Sequence, residues 1–201
     1  MKLQSKEPEK PMQILLLIDI GLTVLLMIDV VLLNFIEPGD GFATYENIVG
    51  LVLTLTVLAY TILFLGWIYR VHKDLQSLDR SYPTSPGGAL ARVLIPIFNL
   101  YGLWNVYSAM ANFFKKEPFT SEAGKNLGKV IPFYYALFLI TTFVNDYIIR
   151  NFVNSIVLFL SYIGDIALVV TYILIIKFVS RGLSNLVEHQ AEVQGDENEA
   201  Q

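Results

Sequence analysis

Apolar residues in this chain run in long blocks broken only by short polar stretches. From Met12 to Ile36 there are about 25 almost uninterrupted apolar positions, enough at about 1.5 Å per residue to cross a hydrocarbon core of about 30 Å. A signal peptide has an apolar region of only about 7–15 residues followed by a small-residue cleavage site, so this block is expected to stay as a membrane helix. A second block covers residues 48–69. Two more cover about 129–149 and 152–178, parted only by Arg150 and Asn151, a link short enough to force an antiparallel helical hairpin. The pattern predicts four membrane-spanning helices. The turn cluster Glu37-Pro38-Gly39-Asp40-Gly41 ends the first.

The stretch between the second and third spans reads differently. After Tyr69 the sequence continues as RVHKDLQSLDR, in which Val71, Leu75 and Leu78 recur at helical spacing among charges, the pattern of a helix leaving along the interface. Ser85-Pro86 has the form of an N-cap followed by proline at the first helical position. Pro96 interrupts that helix, and a second short one is expected from about Leu100 to Phe114. On it Tyr101, Asn105, Ser108 and Asn112 share one arc while Leu103, Val106, Met110 and Phe113 line the other. Residues 86–114 are therefore read as re-entrant or interfacial, and residues 115–126 as a polar loop. Residues 1–11 are read as a disordered lead and 182–201 as an acidic tail whose end is disordered.

Charge placement decides between this arrangement and a five-span bundle in which residues 89–114 cross. The fourteen basic residues fall before Met12, between Arg70 and Arg92, between Lys115 and Lys129, at Arg150, and at Lys177 and Arg181. Five spans would leave eight on one side and six on the other, whereas four spans leave thirteen on one side and Arg150 alone opposite. Because short loops rich in Lys and Arg stay cytoplasmic, four spans with both termini inside, in a bacterial inner membrane, is the preferred reading. Trp67, Tyr69, Tyr134 and Tyr135 would then fall near the inner face, and Tyr45 and Tyr147 near the outer, as aromatic belts.

Composition agrees: 54% of residues are hydrophobic and 16% charged, against about 25% charged in soluble domains. With no cysteine and two histidines, disulfides and thiolate or histidine-rich metal sites are not expected, and no cofactor is. A net charge of −4 gives no global attraction to nucleic acid, so none is expected as a partner. There is no HExxH, GxSxG, P-loop or dinucleotide fingerprint, and the expectation is a protein that is not an enzyme.

Two groups of residues carry candidate chemistry. Trp67, Tyr69, Arg70, His72 and Lys73, with Asn99 and Asn105 from the re-entrant segment, could line a cytoplasm-facing pocket for a lipid headgroup, a small anion or a partner protein, since guanidinium pairs bidentately with phosphate. The plainer reading is an aromatic and basic anchor that fixes helix depth. Asp19, Asp29 and Asp165 lie within spans, where an ionised carboxylate costs at least about 2.5–3.5 kcal/mol, so each should face the bundle. They suggest a proton or cation site. The plainer reading is a set of structural aspartates bonded to neighbours such as Ser161, Tyr162 or Thr171. Asp19 and Asp29 are ten residues apart, a rotation of about 280°, and so do not share one face. Gly124 and Gly128 have helix-packing spacing, yet they fall in the stretch read as a loop, where chance explains them.

Phe64, Trp67, Tyr69-Arg70, His72, Leu75, Ser85-Pro86-Gly87, Ile95-Pro96 and Asn99-Leu100, in that order, resemble the bacterial multi-pass membrane family catalogued as domain of unknown function 4328. The resemblance implies architecture and no activity. The expected fold is an all-α integral membrane bundle of four transmembrane helices plus a re-entrant or interfacial segment. Its expected role is headgroup, anion or partner binding among membrane lipids, with a small proton- or cation-coupled transporter as the alternative.

Overall fold

The computed structural model describes residues 2–33, 35, 40–151 and 154–199; the side chains of Asp40, 96–100, 149 and 195–199 fall outside that description, Asn99 among them. Among the described residues six helices follow one another: α1 (Lys6–Leu32), α2 (Asp40–Leu78), α3 (Pro86–Leu94), α4 (Pro96–Lys116), α5 (Ser121–Arg150) and α6 (Ser155–Glu199). The described residues contain no strand. Among them four helices, α1, α2, α5 and α6, are long and apolar enough to cross a membrane. The protein is an all-α, multi-pass membrane protein. Most of the turn cluster expected after the first span lies outside the described residues.

The chain divides into two compact units. One takes Pro11–Leu63 and Tyr134–Ile173 and is called the bundle unit below. Its polarity is reversed relative to a water-soluble domain: Phe143 and Ile156 are each 69% exposed, while Asp19, Thr23, Asp29, Thr56, Thr141 and Ser161 are buried. Water would penalise such a surface, and soluble monomers rarely expose so much contiguous apolar area. Hydrocarbon rewards it, because polar side chains then have to find partners inside. Thr54, Thr56 and Thr61 of α2 satisfy their hydroxyls locally, donating to the carbonyls of Gly50, Val52 and Val57 at 2.7–2.8 Å.

The other unit takes Met1–Lys10, Phe64–Phe133 and Leu174–Gln201, and holds every basic residue except Arg150. Ser85 caps α3, its hydroxyl accepting the Gly88 N–H at 3.1 Å, and Pro86 follows at the first helical position. Ile95 is extended, which starts α4 afresh at Pro96 rather than at Leu100. Pro96 has no N–H to offer α3 and has the right φ to open a new helix. Gly102 lets the two helices meet, since a Cβ there would overlap the Arg92 carbonyl oxygen. The arcs expected on α4 are present, with Leu103, Val106, Met110 and Phe113 buried and Tyr101 and Asn112 exposed.

Four expectations need correction in this unit. The lead is ordered from its first turn: Leu3 and Ser5 are buried, and α1 begins at Lys6. The reason is a partner far along the chain, for the Asp74 carboxylate accepts the Gln4 and Ser5 N–H groups at 3.1 and 2.8 Å and caps α1 from outside. The tail continues α6 unbroken to Glu199, because Val179, Leu183 and Leu186 extend its buried stripe and Gln190 donates to the Leu78 carbonyl at 2.9 Å. The polar loop shrinks to residues 117–120, with α4 reaching Lys116 and α5 starting at Ser121. Gly124 and Gly128 thus lie on a helix, and Gly124 lets α5 approach α4, since a Cβ there would come within 2.8 Å of the Ala111 carbonyl oxygen, whereas one at Gly128 would meet only the end of the Lys115 side chain.

Candidate functional site

The residues proposed for a headgroup pocket do not converge. Trp67, Tyr69, Arg70, His72 and Lys73 follow one another along α2 at about 100° per residue, so they point around it rather than to one side. Trp67 and His72 are fully buried, and Tyr69 and Lys73 are exposed. Trp67 packs beside Phe64 with ring centres 6.2 Å apart, so it belongs to the core and not to an aromatic belt. His72 directs Nδ1 at the Ile68 carbonyl at 2.9 Å, which fixes the proton on Nδ1, and its Nε2 has no hydrogen-bond partner among the described residues. Arg70 is already engaged, pairing with the Glu7 carboxylate and donating to the Gln4 carbonyl at 3.4 Å. Asn105 accepts from Arg92 at 2.8 Å. Tyr82, between α2 and α3, is buried edge-on against Phe113 at 5.0 Å, and that burial pushes its phenol above its ordinary value. A cavity of about 440 Å3 in this unit opens elsewhere, between Leu3 and Glu7 on one side and Ser184, Val187 and Glu188 of α6 on the other.

Asp19 and Asp165, in contrast, sit in a polar centre of the bundle unit. Asp19 of α1 is buried and hydrogen-bonded by the Tyr60 hydroxyl of α2. Asp165 of α6 accepts from the Asn145 amide of α5 at 3.2 Å. The two carboxylates lie within electrostatic reach of each other, and Tyr60 is within reach of both. Each of the four spanning helices therefore contributes one polar side chain. Of the partners anticipated for Asp165, Ser161 donates to the Leu158 carbonyl at 2.8 Å and Thr171 to the Leu168 carbonyl at 2.7 Å, while Tyr162 lies within electrostatic reach of Asp165. Gly164 allows the approach of α5 to α6 here, as a Cβ would meet the Thr141 methyl at 3.3 Å.

Around this centre Tyr172 links two neighbours, with ring centres 6.5 Å from Tyr60 and 6.1 Å from Tyr134. Tyr134 is buried in that stack, so it too is no belt residue. Asp29 stands apart from Asp19, as their spacing required. It is 5% exposed, and its Oδ2 has no hydrogen-bond partner among the described residues.

Tyr60 and Asn145 escaped the sequence reading. Both stand in the middle of apolar blocks, and the depth argument that singled out the aspartates applies equally to a buried phenol or amide.

Comparison with curated proteins and with solved structures finds no match. A family model described as Domain of unknown function (DUF4328) matches residues 40–183, from the start of α2 to well past the middle of α6. With well over half of its length matched, the chain belongs to the DUF4328 family of multi-pass membrane proteins.

Proposed function

We propose that this protein binds and passes protons or a monovalent cation across the membrane through the Asp19 and Asp165 carboxylates. The observation that carries the reading is the grouping itself: two carboxylates lie within electrostatic reach of each other in the bundle unit, each held by a neutral donor, and neither has an ion pair to Lys or Arg among the described residues. Buried like charges require a counter-charge, and a proton or small cation supplies one. Two carboxylates, a phenol oxygen and an amide oxygen form a hard donor set suited to such ligands. The distribution of basic residues supports an orientation with both termini in the cytoplasm. It also favours, as a second reading, contact of the basic unit with anionic lipid headgroups through exposed Lys73 and half-exposed Arg70.

The test is flux in reconstituted vesicles loaded with a pH-sensitive dye, under an imposed potential, with and without a sodium or potassium gradient. Wild-type protein should carry protons or one of the cations, and Asp165→Asn should abolish the current. A wild type no leakier than empty vesicles sinks the reading. Binding of the same preparation to vesicles containing anionic lipid, lost in Arg70→Gln, would favour the headgroup reading instead.

A further inference from the structure

Asp29 has no place in the pair just described, and three observations give it one. It lies on the last turn of α1, while Asp19 is about 15 Å deeper along the same helix. Tyr162 of α6 lies within electrostatic reach of Asp29, of Glu46 near the start of α2, and of Asp165. Tyr162 and Asp165 are three residues apart on α6 and so share a face. In the bundle unit, Glu46 and Asp29 at the loop end lie within electrostatic reach of Tyr162, Tyr162 within reach of Asp165, and Asp165 within reach of Asp19 and Tyr60.

Acidic side chains near a loop end would be unremarkable if they were solvated or bonded. Asp29 is 95% shielded, and one of its carboxylate oxygens, Oδ2, is buried with no hydrogen-bond partner among the described residues. A buried unpaired acceptor costs about 1–3 kcal/mol, more when charged, and such a group persists where something else comes to it. The requirement is for a donor or a cation, since a carboxylate oxygen offers only lone pairs. An anion would meet repulsion at each of the four carboxylates.

Resting on the flux reading above, we propose that the proton or monovalent cation enters the bundle from the end bearing Asp29 and Glu46, and that Asp29 and Tyr162 are relay stations which hand it to Asp165. In this arrangement Glu46 raises the local cation concentration at the mouth. Asp29 receives the ligand, and the Tyr162 hydroxyl either exchanges a proton or offers its oxygen to the passing ion. Nothing is consumed, and each station returns to its starting state once the ligand has moved on.

Relay residues set rate, whereas the terminal pair sets whether transfer occurs at all. Initial rates and final extents of uptake would be measured for wild type, Asp165→Asn, Asp29→Asn, Asp29→Glu and Tyr162→Phe, in sodium-free, potassium-free buffer and again with each cation. Asp29→Asn and Tyr162→Phe should slow the initial rate at least tenfold while reaching the wild-type extent, and Asp29→Glu should restore most of the rate. If the proton alone is carried, the rates will be the same in all three buffers; dependence on one cation identifies that ion as the ligand. Labelling of Asp165 by a hydrophobic carbodiimide reports on the pair independently, and it should persist in both relay variants. Wild-type rates in Asp29→Asn and Tyr162→Phe, with Asp165→Asn inactive, would overturn the relay and leave the pair standing. Absence of flux in the wild type overturns both.

Discussion

Asp74 offers the sharpest test of how the N-terminal segment is held. Its carboxylate is 1% exposed and accepts two backbone N–H groups, from Gln4 and Ser5, at the start of α1. Asp74→Ala would leave both donors without an acceptor, at about 1–3 kcal/mol each if they stay buried, and would remove a negative charge from a helix N-terminus, worth about 0.3–1 kcal/mol. The alternative is for residues 2–5 to peel away and rehydrate. That forfeits the burial of Leu3, about 1.5–3 kcal/mol, and the exposed hydrogen bond from Arg70 to the Gln4 carbonyl, worth about 0.5–1.5 kcal/mol. Peeling is the cheaper response, so the expected effect is a local opening of about 2–4 kcal/mol with little change in global melting. Asp74→Asn keeps one acceptor oxygen but loses the charge and the second acceptor, setting its NH2 against one of the two N–H groups, so it should fall between wild type and Asp74→Ala. Hydrogen exchange at the Ser5 and Lys6 amides, in detergent micelles, measures this directly. Wild-type protection of Ser5 in Asp74→Ala would refute the reasoning, because it would show the segment is held by something other than the cap.

Two further outcomes are expected. Gly124→Leu should lower the melting temperature of the purified protein, since its Cβ would lie 2.7 Å from the Lys115 backbone nitrogen and the overpacking costs about 1–3 kcal/mol or more; an unchanged melting curve would mean α4 and α5 do not pack there. A single cysteine replacing exposed Glu117 should resist an impermeant thiol reagent in intact cells and react after lysis, as the thirteen-to-one distribution of basic residues requires; labelling from outside would reverse the orientation.

What could be read in advance was whatever depends on neighbours in the chain. The spans are runs of apolar residues, Ser85-Pro86 writes its own cap, and Pro96 breaks a helix wherever it stands. The docked lead was hidden because its cap, Asp74, lies about 70 residues away and nothing local marks Gln4 and Ser5 as its donors. The GxxxG pair was hidden by a misplaced helix start: α5 begins eight residues before its apolar block, and an amphipathic first turn resembles a loop. The tail was judged on low hydrophobicity, yet Leu183 and Leu186 keep one stripe of α6 buried past the last span, and Glu, Ala and Gln are good helix formers beyond it. The polar centre was half legible. Depth exposed the aspartates, while Tyr60 and Asn145 were missed because neither carries a charge.

That centre has an internal asymmetry which bears on function. Its hydrogen bonds join α1 to α2, through Asp19 and Tyr60, and α5 to α6, through Asn145 and Asp165. Such bonds between helices in a membrane are worth about 0.6–2 kcal/mol each. Between Asp19 and Asp165 the coupling is repulsive when both are ionised. Across the seam between α1 and α6, where the Tyr172 hydroxyl donates to Met12 Sδ at 3.8 Å, the two ionised carboxylates oppose the packing, and a bound proton or cation turns the opposition into attraction. Replacing Asp165 by Asn removes the repulsion and keeps a side chain of the same size, so the variant should melt at or above the wild-type temperature even as it loses flux. Loss of flux together with a fall in stability would show instead that Asp165 is a structural member of the bundle, and the ligand would have to be sought elsewhere.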